Sequence, residues 1–368
     1  MMKVGIDVHA IGMRQTGNET YIRNLVENLA TLGLPLDYVF YHTLPPEVYA
    51  EFTWKTGLRR LRPHNPLVRI PLGFPLVLLR DRIDLAHFQY VAPPLCPCPT
   101  VVTVHDISFE LFPENFHPLE RKRMQWLVPF SARKAAHVIT VSEFSRRAIM
   151  QRYGVPEQRI SVTHEGVSDN FRQARDAAWV ASRTARFGLA KPYVLGVGNL
   201  QPRKNLERLL KAFARLRGAG VAWDLVLVGQ TAWHGQRVHA LVRDLGITDA
   251  VRFTGYLGEE ELIALYRQAA VFAFPSLYEG FGLPVVEAMA CGAPVLTSNA
   301  ASLPEVAGDA AILVDPFSEN EIHDSLRKLV EDGDLRAELS ARGKLQAARF
   351  SWQSTAAQTA EIYARCLS

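Results

Sequence analysis

The chain has 368 residues, a hydrophobic fraction of 48%, a charged fraction of 21% and a formal net charge of +4 at pH 7. This length favours two domains over a single core, and the composition is that of a folded globular protein rather than a disordered one. The small charge and the absence of interleaved aromatic and basic residues exclude nucleic acid as a predicted partner, and no apolar run reaches the length of a membrane-spanning helix.

The first residues, MMKVGIDVHAIG, place Asp7 and His9 where a secretion signal would have its apolar region. We therefore expect a first strand here, in a cytoplasmic protein. Four cysteines fit a reducing compartment. Cys96 and Cys98, in a CPCP segment, have neither the usual zinc-binding spacing nor that of a redox motif, so we interpret them as structural.

The first strand is followed by a glycine-containing loop and then by residues 19–33, whose apolar side chains fall on one helical face. Strand, glycine loop and helix predict the start of a Rossmann-like domain. Gly12 and Gly17 would let the backbone approach a ligand. Thr16 and Glu19, however, have the spacing of a capping box, which explains the same loop without a ligand.

Residues 54–82 mix seven basic residues and one acidic residue with many apolar ones. This mixture could lie on an anionic membrane surface or receive a lipid-linked, phosphorylated acceptor, because basic residues attract anionic headgroups and apolar neighbours enter the interface. A solvated basic face over ordinary core residues explains it equally well. The basic residues are Lys55, Arg59, Arg60, Arg62, Arg69, Arg80 and Arg82.

Three short apolar strands follow, in IDLAHFQ, TVVTVHD and HVITVSE, and each ends in polar residues. In an open parallel sheet the carboxyl ends of the strands form the ligand crevice. His105 and Asp106 are the strongest candidates there, although a satisfied strand-end histidine and a turn-capping aspartate would explain them as well. The pattern around Ser142 favours a helix cap. The candidates by position are His87, His105, Asp106, Ser142 and Glu143.

The pattern restarts at residue 192, after a charged, alanine-rich stretch at residues 171–191 that we interpret as an interdomain linker. YVLGVGNLQPRKNLERLLKAFARL predicts a strand, a polar loop and an amphipathic helix. Arg203 and Lys204 lie in the loop, just before Asn205, which we expect to cap the helix. A guanidinium and an ammonium group placed there would neutralise a diphosphate, whereas a solvated surface pair is the alternative.

The stretch FPSLYEGFGLPVVE combines a strand end, a glycine turn and a helix start. The apolar run AVFAF before it predicts a buried strand, and Pro284 suits the first turn of a helix. The free N–H groups of such a helix start favour phosphate. The residues expected to form this anion-binding turn are Gly280, Phe281, Gly282 and Leu283.

Glu279 and Glu287 border the same turn, with seven residues between them. Carboxylates repel phosphate, so we expect both to bind neutral hydroxyls beside it, as an acidic residue binds ribose in dinucleotide folds. With GFGLP inside and EAMACGAPV following, the pair resembles the EX7E signature of retaining glycosyltransferases of family four. The resemblance implies that Glu279 lies by the donor sugar and Glu287 holds the ribose, with Arg203 and Lys204 on the phosphates.

The resemblance runs from Lys3 to about Ser351 and implies an α/β fold of the GT-B type, with two Rossmann-like domains whose parallel sheets face across a cleft. We expect an acceptor domain at residues 1–170, the linker at 171–191 and a donor domain at 192–351. The C-terminal helix, 352–368, is expected to pack back on the first domain.

The resemblance also implies further site residues. His105 and Asp106, in VTVHDISFELFPENF, match an acceptor-side motif and would bind hydroxyls of the donor sugar. Gly17 falls in the loop that contacts the donor phosphates, although the family usually has adjacent glycines where this chain has QTGNETY. Tyr256 and Leu257 follow a strand end where the nucleotide base would bind.

The activity implied is transfer of a hexose from a nucleoside diphosphate to a glycan or polyprenyl-diphosphate-linked acceptor, with retention of the anomeric configuration. Neither a cofactor nor a metal is expected, because no DxD-type pair is placed to bind one. Glu279 would orient the sugar while the departing phosphate helps to deprotonate the acceptor. VTVHDISF is typical of bacterial lipopolysaccharide and exopolysaccharide enzymes, many of them mannosyltransferases, which favours GDP-mannose over UDP-sugars.

Two alternatives come from other classes of protein. A Rossmann dehydrogenase would need GxGxxG, of which GVGNLQP has only the first two glycines. A non-catalytic nucleotide-sugar binding subunit would keep the donor residues but lose His105 and Asp106, which are present. We therefore expect an enzyme, cytoplasmic and, if the basic segment contacts lipid, peripheral on the inner face of the cell membrane.

Overall fold

The computed structural model describes residues 2–13, 16–50, 52, 54, 57–230 and 235–368. The chain divides into two compact units, the first made of Met1–Gly166 with Ser351–Ser368 and the second of Val167–Phe350. Lys55 of the predicted basic segment lies outside the described residues. So do Arg14 and Gln15 of the predicted glycine loop.

Among the described residues of the first unit, seven parallel strands form one sheet in the order β3-β2-β1-β4-β5-β6-β7. The direction of winding reverses between β1 and β4, which gives the sheet a topological switch point. The strands are β1 (Met2–Asp7), β2 (Leu36–His42), β3 (Leu58–Arg60), β4 (Leu85–Gln89), β5 (Thr100–Thr103), β6 (His137–Thr140) and β7 (Ile160–Val162). The helices are α1 (Thr16–Thr31), α2 (Pro66–Val68), α3 (Phe74–Asp81), α4 (Ser108–Leu111), α5 (Pro118–Lys134) and α6 (Glu143–Tyr153).

The second unit, over its described residues, repeats the plan with six parallel strands in the order β10-β9-β8-β11-β12-β13. Its switch point lies between β8 and β11. The strands are β8 (Tyr193–Val197), β9 (Asp224–Val228), β10 (Val251–Gly255), β11 (Val271–Phe274), β12 (Val295–Ser298) and β13 (Ala311–Val314). The helices are α7 (Asp169–Arg172), α8 (Ala177–Thr184), α9 (Leu206–Gly218), α10 (Gly235–Asp244), α11 (Glu259–Gln268), α12 (Leu283–Cys291), α13 (Leu303–Ala307), α14 (Glu319–Glu331) and α15 (Gly333–Ala347).

The central strands are buried along their whole length, as in β5 (TVVT), β6 (HVIT), β11 (VFAF) and β12 (VLTS). Strands that are covered on both faces read as continuous apolar runs, which is how the sequence presents them. The expected inward face of α9 is also confirmed, since Leu209, Leu210 and Phe213 are fully buried. The α/β fold with two parallel sheets is therefore confirmed.

Residues 171–191 differ from the expected linker, because they fold as part of the second unit. The guanidinium of Arg267 on α11 donates to the carbonyl oxygen of Phe171 at 3.0 Å. Arg183 on α8 forms an ion pair with Glu260 at 3.1 Å. These bonds hold the segment against α11, so the division between the units falls at Gly166 and Val167.

The C-terminal helix α16 (Trp352–Leu367) lies in the first unit, against α1, β4 and β6. Its Tyr363 hydroxyl lies 2.5 Å from Nδ1 of His87, whose Nε2 lies 2.7 Å from the hydroxyl of Thr103. Burial lowers the pKa of His87 to about 3, so the ring is neutral at physiological pH. His87 is therefore a core residue that anchors α16, in contrast to its candidacy as a crevice residue.

The helices in the described part of the chain belong to these two units. None of them combines the length and the apolar character needed to cross a membrane.

Candidate active site

The loops that leave β8 and β11 meet at the switch point of the second sheet. These two strands are hydrogen-bonded neighbours, with Val271 opposite Val194, and the chain leaves them towards opposite edges of the sheet. A ligand crevice forms at such a point, outside the carboxyl ends of the strands. The first loop carries Arg203 and Lys204, and the second carries Glu279.

The structure brings these three side chains into direct contact. Nη1 of Arg203 lies 2.7 Å from Oε2 of Glu279, and Nζ of Lys204 lies 2.7 Å from Oε1. The Arg203 guanidinium also donates to the carbonyl oxygen of Tyr278 at 2.5 Å. Each carboxylate oxygen thus faces one cation, and the cluster keeps a formal excess of one positive charge.

Two opposing effects act on the pKa of Glu279. Burial raises the pKa of this carboxyl. The charges of Arg203 and Lys204 and their hydrogen bonds together lower it by a larger amount, so the pKa is about 2. Glu279 is therefore ionised at neutral pH. A carboxylate of this kind can orient hydroxyls or stabilise positive charge, but it cannot serve as a proton donor.

Asn205 joins the two loops in a way that the sequence did not reveal. Its backbone is left-handed, with φ of 58°, and its side chain does not cap α9 as expected. Instead, the amide Nδ2 donates to the carbonyl oxygens of Pro275 at 2.9 Å and Pro316 at 2.6 Å. These bonds fix the backbone from which Arg203 and Lys204 project.

The glycine turn forms the start of α12 as the sequence predicts. Gly282 occupies the N-cap position with φ of 118°, and a Cβ there would lie 2.8 Å from Leu303, so only glycine fits without strain. The hydroxyl of Ser302 donates to the carbonyl oxygens of Glu279 at 2.9 Å and Phe281 at 2.7 Å. Ser302 therefore holds the turn, a role that the sequence did not indicate. Gly280, Phe281, Gly282 and Leu283 are all buried.

Glu287 lies on α12, one turn beyond its start. The hydroxyl of Tyr266 donates to Oε2 of Glu287 at 3.1 Å, and burial raises the pKa of Tyr266 well above its ordinary value. This neutral phenol fixes the orientation of the carboxylate. Binding of a ribose by Glu287 stays a prediction.

Tyr256 and Leu257 follow β10, the edge strand that β9 separates from β8. Leu257 is buried, whereas Tyr256 is 58% exposed. Two strand spacings amount to about 10 Å, a distance that an extended nucleotide can cover from the phosphate cluster. Contact of Tyr256 and Leu257 with a base stays a prediction.

In the first unit, His105 follows β5 and is held on both ring nitrogens. Nε2 lies 2.9 Å from Oε1 of Gln89, and Nδ1 lies 3.3 Å from Oε1 of Glu165. The Tyr21 ring meets the imidazole edge-on, with centroids 4.6 Å apart. The sequence did not single out Gln89 or Glu165, because each is one polar residue near the end of an apolar strand without a surrounding motif.

A cavity of about 340 Å³ lies at the carboxyl ends of β1, β4 and β5. Asp106 lines it and also accepts a turn bond from the Ser108 N–H at 2.8 Å. Asp7 lines it too, with its carboxylate 2.9 Å from Nδ1 of His9. Burial raises the pKa of Asp7, but His9 and Arg69 outweigh this and lower it. With Glu120, three carboxylates line the cavity. Other residues that line it are Gln89, Tyr90, Phe116 and Arg123.

Gly17 lies in the first turn of α1 rather than in the preceding loop. A Cβ there would meet no described atom within 4 Å, so the protein itself does not require glycine. Gly12 is the constrained position, with φ of 84° and its N–H bonded to the carboxylate of Glu19 at 2.8 Å. Contact of Gly17 with a donor stays a prediction.

Comparisons with known proteins bear on both units. The family model described as Glycosyltransferase Family 4 matches residues 16–171, and that described as Glycosyl transferases group 1 matches residues 181–346. The chain is 37% identical over 266 residues to O-antigen chain mannosyltransferase B of Escherichia coli. The matched region covers 72% of this chain and 69% of that protein.

A second relative is longer than this chain. Serotype-specific mannosyltransferase WbdA of Escherichia coli is 31% identical over 278 residues, covering 74% of this chain but 34% of that protein. Among solved structures, that of Anabaena Alr3699/HepE in complex with UDP and glucose matches with a TM-score of 0.78 at 20% identity, covering 99% of this chain and 100% of that chain.

Proposed function

The chain belongs to the group 1 and family 4 glycosyltransferases and has their GT-B fold, and we propose that it transfers mannose from GDP-mannose to a glycan or polyprenyl-diphosphate-linked saccharide. The anomeric configuration is retained. The reaction belongs to the assembly of a polysaccharide or lipopolysaccharide.

The observation that carries the proposal is the cluster of Arg203, Lys204 and Glu279 beside the start of α12. Its formal excess of positive charge and the positive end of the helix dipole favour a diphosphate at this point. Cations that are already in place stabilise the negative charge that develops on the leaving group. This supports a nucleoside diphosphate as the leaving group, without a metal.

The proposed chemistry moves one bond and one proton. The bond between the sugar C1 and the donor diphosphate breaks, and C1 binds the acceptor oxygen on the same face. The acceptor proton passes to an oxygen of the leaving phosphate. Glu279, whose pKa lies near 2, stays ionised throughout and orients the donor sugar or stabilises positive charge on its ring.

The first unit supports the binding of sugar groups. Its cavity combines the carboxylates of Asp7 and Asp106 with the aromatic rings of Tyr90 and Phe116, a combination that suits saccharide hydroxyls and ring faces. We assign this cavity to the acceptor, except that Asp106 would bind hydroxyls of the donor sugar, as the resemblance implies. His105 is held rigidly by Gln89 and Glu165, and we assign its role to a sugar hydroxyl.

The mannose assignment rests on the relatives, because the two that are described above are mannosyltransferases by name. A UDP-sugar is the second candidate for the donor, since the matching Anabaena protein was solved with UDP and glucose. The two donors share the diphosphate and differ in the base, which the residues after β10 would contact.

The test is to incubate the protein with polyprenyl-diphosphate-linked saccharides as acceptors and with one donor at a time. The donors are GDP-mannose, UDP-glucose and UDP-galactose. NMR then gives the anomeric configuration of the product. We expect an α-linked mannose product from GDP-mannose, which is itself α-linked. A β-linked product would contradict retention, and transfer from UDP-sugars alone would move the donor to the second candidate. Nucleotide binding without transfer to any acceptor would favour a non-catalytic subunit.

A further inference from the structure

The connection between β4 and β5 carries two cysteines that the proposed transfer reaction does not use. It covers residues 90–99 and has the sequence YVAPPLCPCP. The N–H of Ala92 donates to the hydroxyl of Ser131 at 3.1 Å, and the carbonyl oxygen of Pro99 accepts from the N–H of Ala86 at 3.0 Å. These two bonds anchor the connection, so its cysteines keep a defined position beside the sheet.

The structure brings the two thiols of this connection together. The Sγ atoms of Cys96 and Cys98 lie 3.9 Å apart, and the backbone bends at residues 97 and 98. A disulfide joins residues whose Cα atoms lie about 4.4–6.8 Å apart, and residues two positions apart are separated by at most about 7 Å. An approach of the two sulfur atoms by about 2 Å would therefore complete a disulfide.

Both of these cysteines can be reached from solvent. They are half-buried and pack against the apolar cluster of the first unit, while Pro97 between them is exposed. By contrast, Cys291 on α12 is buried. Cys366 on α16 is half-buried, so it provides a comparison at similar exposure within the first unit.

The contact between the two thiols makes one of them more acidic. A hydrogen bond from the Cys98 thiol lowers the pKa of Cys96, although burial opposes this effect. The same hydrogen bond and burial raise the pKa of Cys98. Burial also raises the pKa of Cys291 and of Cys366. Because the thiolate is the nucleophile in disulfide exchange, Cys96 should be the most reactive of the four cysteines.

We propose that Cys96 and Cys98 form a redox-active dithiol, which closes to a disulfide by exchange with a low-molecular-weight disulfide such as glutathione disulfide. An accessible thiolate beside a second cysteine that can resolve it is the arrangement of redox-sensitive sites. The spacing of the two cysteines in the sequence suggested a structural role, whereas the accessible contact between their sulfur atoms favours reactivity. The proposal does not rest on the transfer reaction.

The exchange takes place in two steps. The Cys96 thiolate attacks one sulfur of glutathione disulfide, which forms a mixed disulfide and releases one glutathione thiolate. Cys98 then loses its proton and attacks the Cys96 sulfur, which forms the protein disulfide and releases the second glutathione thiolate. Two protein thiols are oxidised and one glutathione disulfide is reduced. The two protons that the protein thiols lose end on the two glutathione sulfurs.

The test treats the reduced full chain with glutathione disulfide and maps the products by alkylation and peptide mass spectrometry. We expect a disulfide between Cys96 and Cys98 of the same chain. Excess reduced glutathione should reopen it, because exposed disulfides are the labile ones. In the reduced protein, iodoacetamide should modify Cys96 at least about threefold faster than Cys366, because more of Cys96 is thiolate.

Three variants separate the roles of the cysteines. Cys98→Ala removes the resolving thiol, so glutathione should remain on Cys96 as a mixed disulfide. Cys96→Ala should form no disulfide within this connection. Cys366→Ala is the matched control, and its connection should oxidise as that of the unaltered protein does. Far-ultraviolet circular dichroism should be the same for all of them, which shows that each variant is folded.

Three results would overturn the proposal. The first is that Cys96 and Cys98 both stay reduced while glutathione adds to Cys366. The second is that glutathione remains on both cysteines of the connection without a disulfide between them. The third is a disulfide that joins two chains, seen as a dimer in non-reducing electrophoresis. Equal alkylation rates of Cys96 and Cys366 would contradict the assignment of Cys96 as the attacking thiol.

Discussion

Replacing Glu279 by glutamine should destabilise the protein and strengthen its binding of GDP at the same time. The substitution keeps the shape of the side chain but removes its charge. Arg203 and Lys204, whose side chains are 16% and 13% exposed, would then lie together without their anionic partner. Partly buried cations that lose their counter-charge destabilise a fold.

The magnitude follows from the pKa of Glu279. A decrease from 4.5 to about 2 corresponds to about 3 kcal/mol in favour of the folded state at neutral pH, within the range of about 3–5 kcal/mol for breaking a buried ion pair. Because the pKa is lower in the folded state, this stability is present above pH 4.5 and is lost as the pH falls towards 2. The unaltered protein and Glu279→Gln should therefore converge in stability over that interval.

Urea unfolding at several pH values, together with calorimetry, tests both effects. We expect GDP to bind Glu279→Gln about tenfold more tightly, because a carboxylate beside the phosphates repels them. Glu287→Gln is the comparison within the same site, since it lies on α12 and its carboxylate accepts a hydrogen bond from Tyr266. It should lose about 1 kcal/mol and bind GDP no more tightly than the unaltered protein, because Glu287 is predicted to hold the ribose. A Glu279→Gln variant as stable as the unaltered protein at pH 7, with unchanged GDP affinity, would refute this reasoning.

Three further predictions address the two units. Arg203→Lys should weaken GDP binding by about tenfold in calorimetry, because an ammonium group replaces two-point contact by a point charge; Arg215→Lys, an exposed arginine of α9, is the control. His105→Ala should lower the rate of mannose transfer at least about tenfold and leave GDP affinity unchanged, because His105 belongs to the first unit. His87→Gln should remove an acid sensitivity. Because the pKa of His87 is lowered from 6.5 to about 3 in the folded protein, its contribution to the free energy of unfolding should decrease by about 1.4 kcal/mol per pH unit as the pH decreases from 6.5 to 3. Urea unfolding of the variant and the unaltered protein should show this difference.

Each of these has a clear contrary result. Equal GDP affinity in Arg203→Lys and the control would remove Arg203 from the phosphate site. A decrease in GDP affinity in His105→Ala would indicate a role in donor binding rather than in transfer alone. The same pH dependence in His87→Gln and the unaltered protein would show that another group titrates.

Local features of the site could be predicted from the sequence. The start of α12 depends on Gly282 and Pro284, whose backbone preferences act over a few residues. The inward face of α9 follows from the helical spacing of its leucines. The EX7E pattern places Glu279 and Glu287 on either side of this helix start without any knowledge of the sheet.

Contacts between distant segments could not be predicted in the same way. Arg203 and Lys204 were expected to face phosphate, and their pairing with Glu279 depends on which strands become neighbours in the sheet. Asparagine is a common residue at helix caps, but the left-handed backbone of Asn205 directs its side chain to the carbonyl oxygens of two prolines. Residues 171–191 were expected to be a linker because their sequence is charged. In the structure, hydrogen bonds and ion pairs of arginine side chains with backbone carbonyls and carboxylates make them part of the second unit.

The most direct test of the account is calorimetry of GDP, UDP and ADP, each without magnesium, against the unaltered protein and Arg203→Ala/Lys204→Ala. We expect GDP to bind most tightly and the double variant to lose at least about 100-fold in affinity, because each of the two charge-assisted hydrogen bonds contributes about 1.5–3 kcal/mol. Binding of GDP to the double variant as tightly as to the unaltered protein would contradict the placement of the donor diphosphate at Arg203, Lys204 and Glu279.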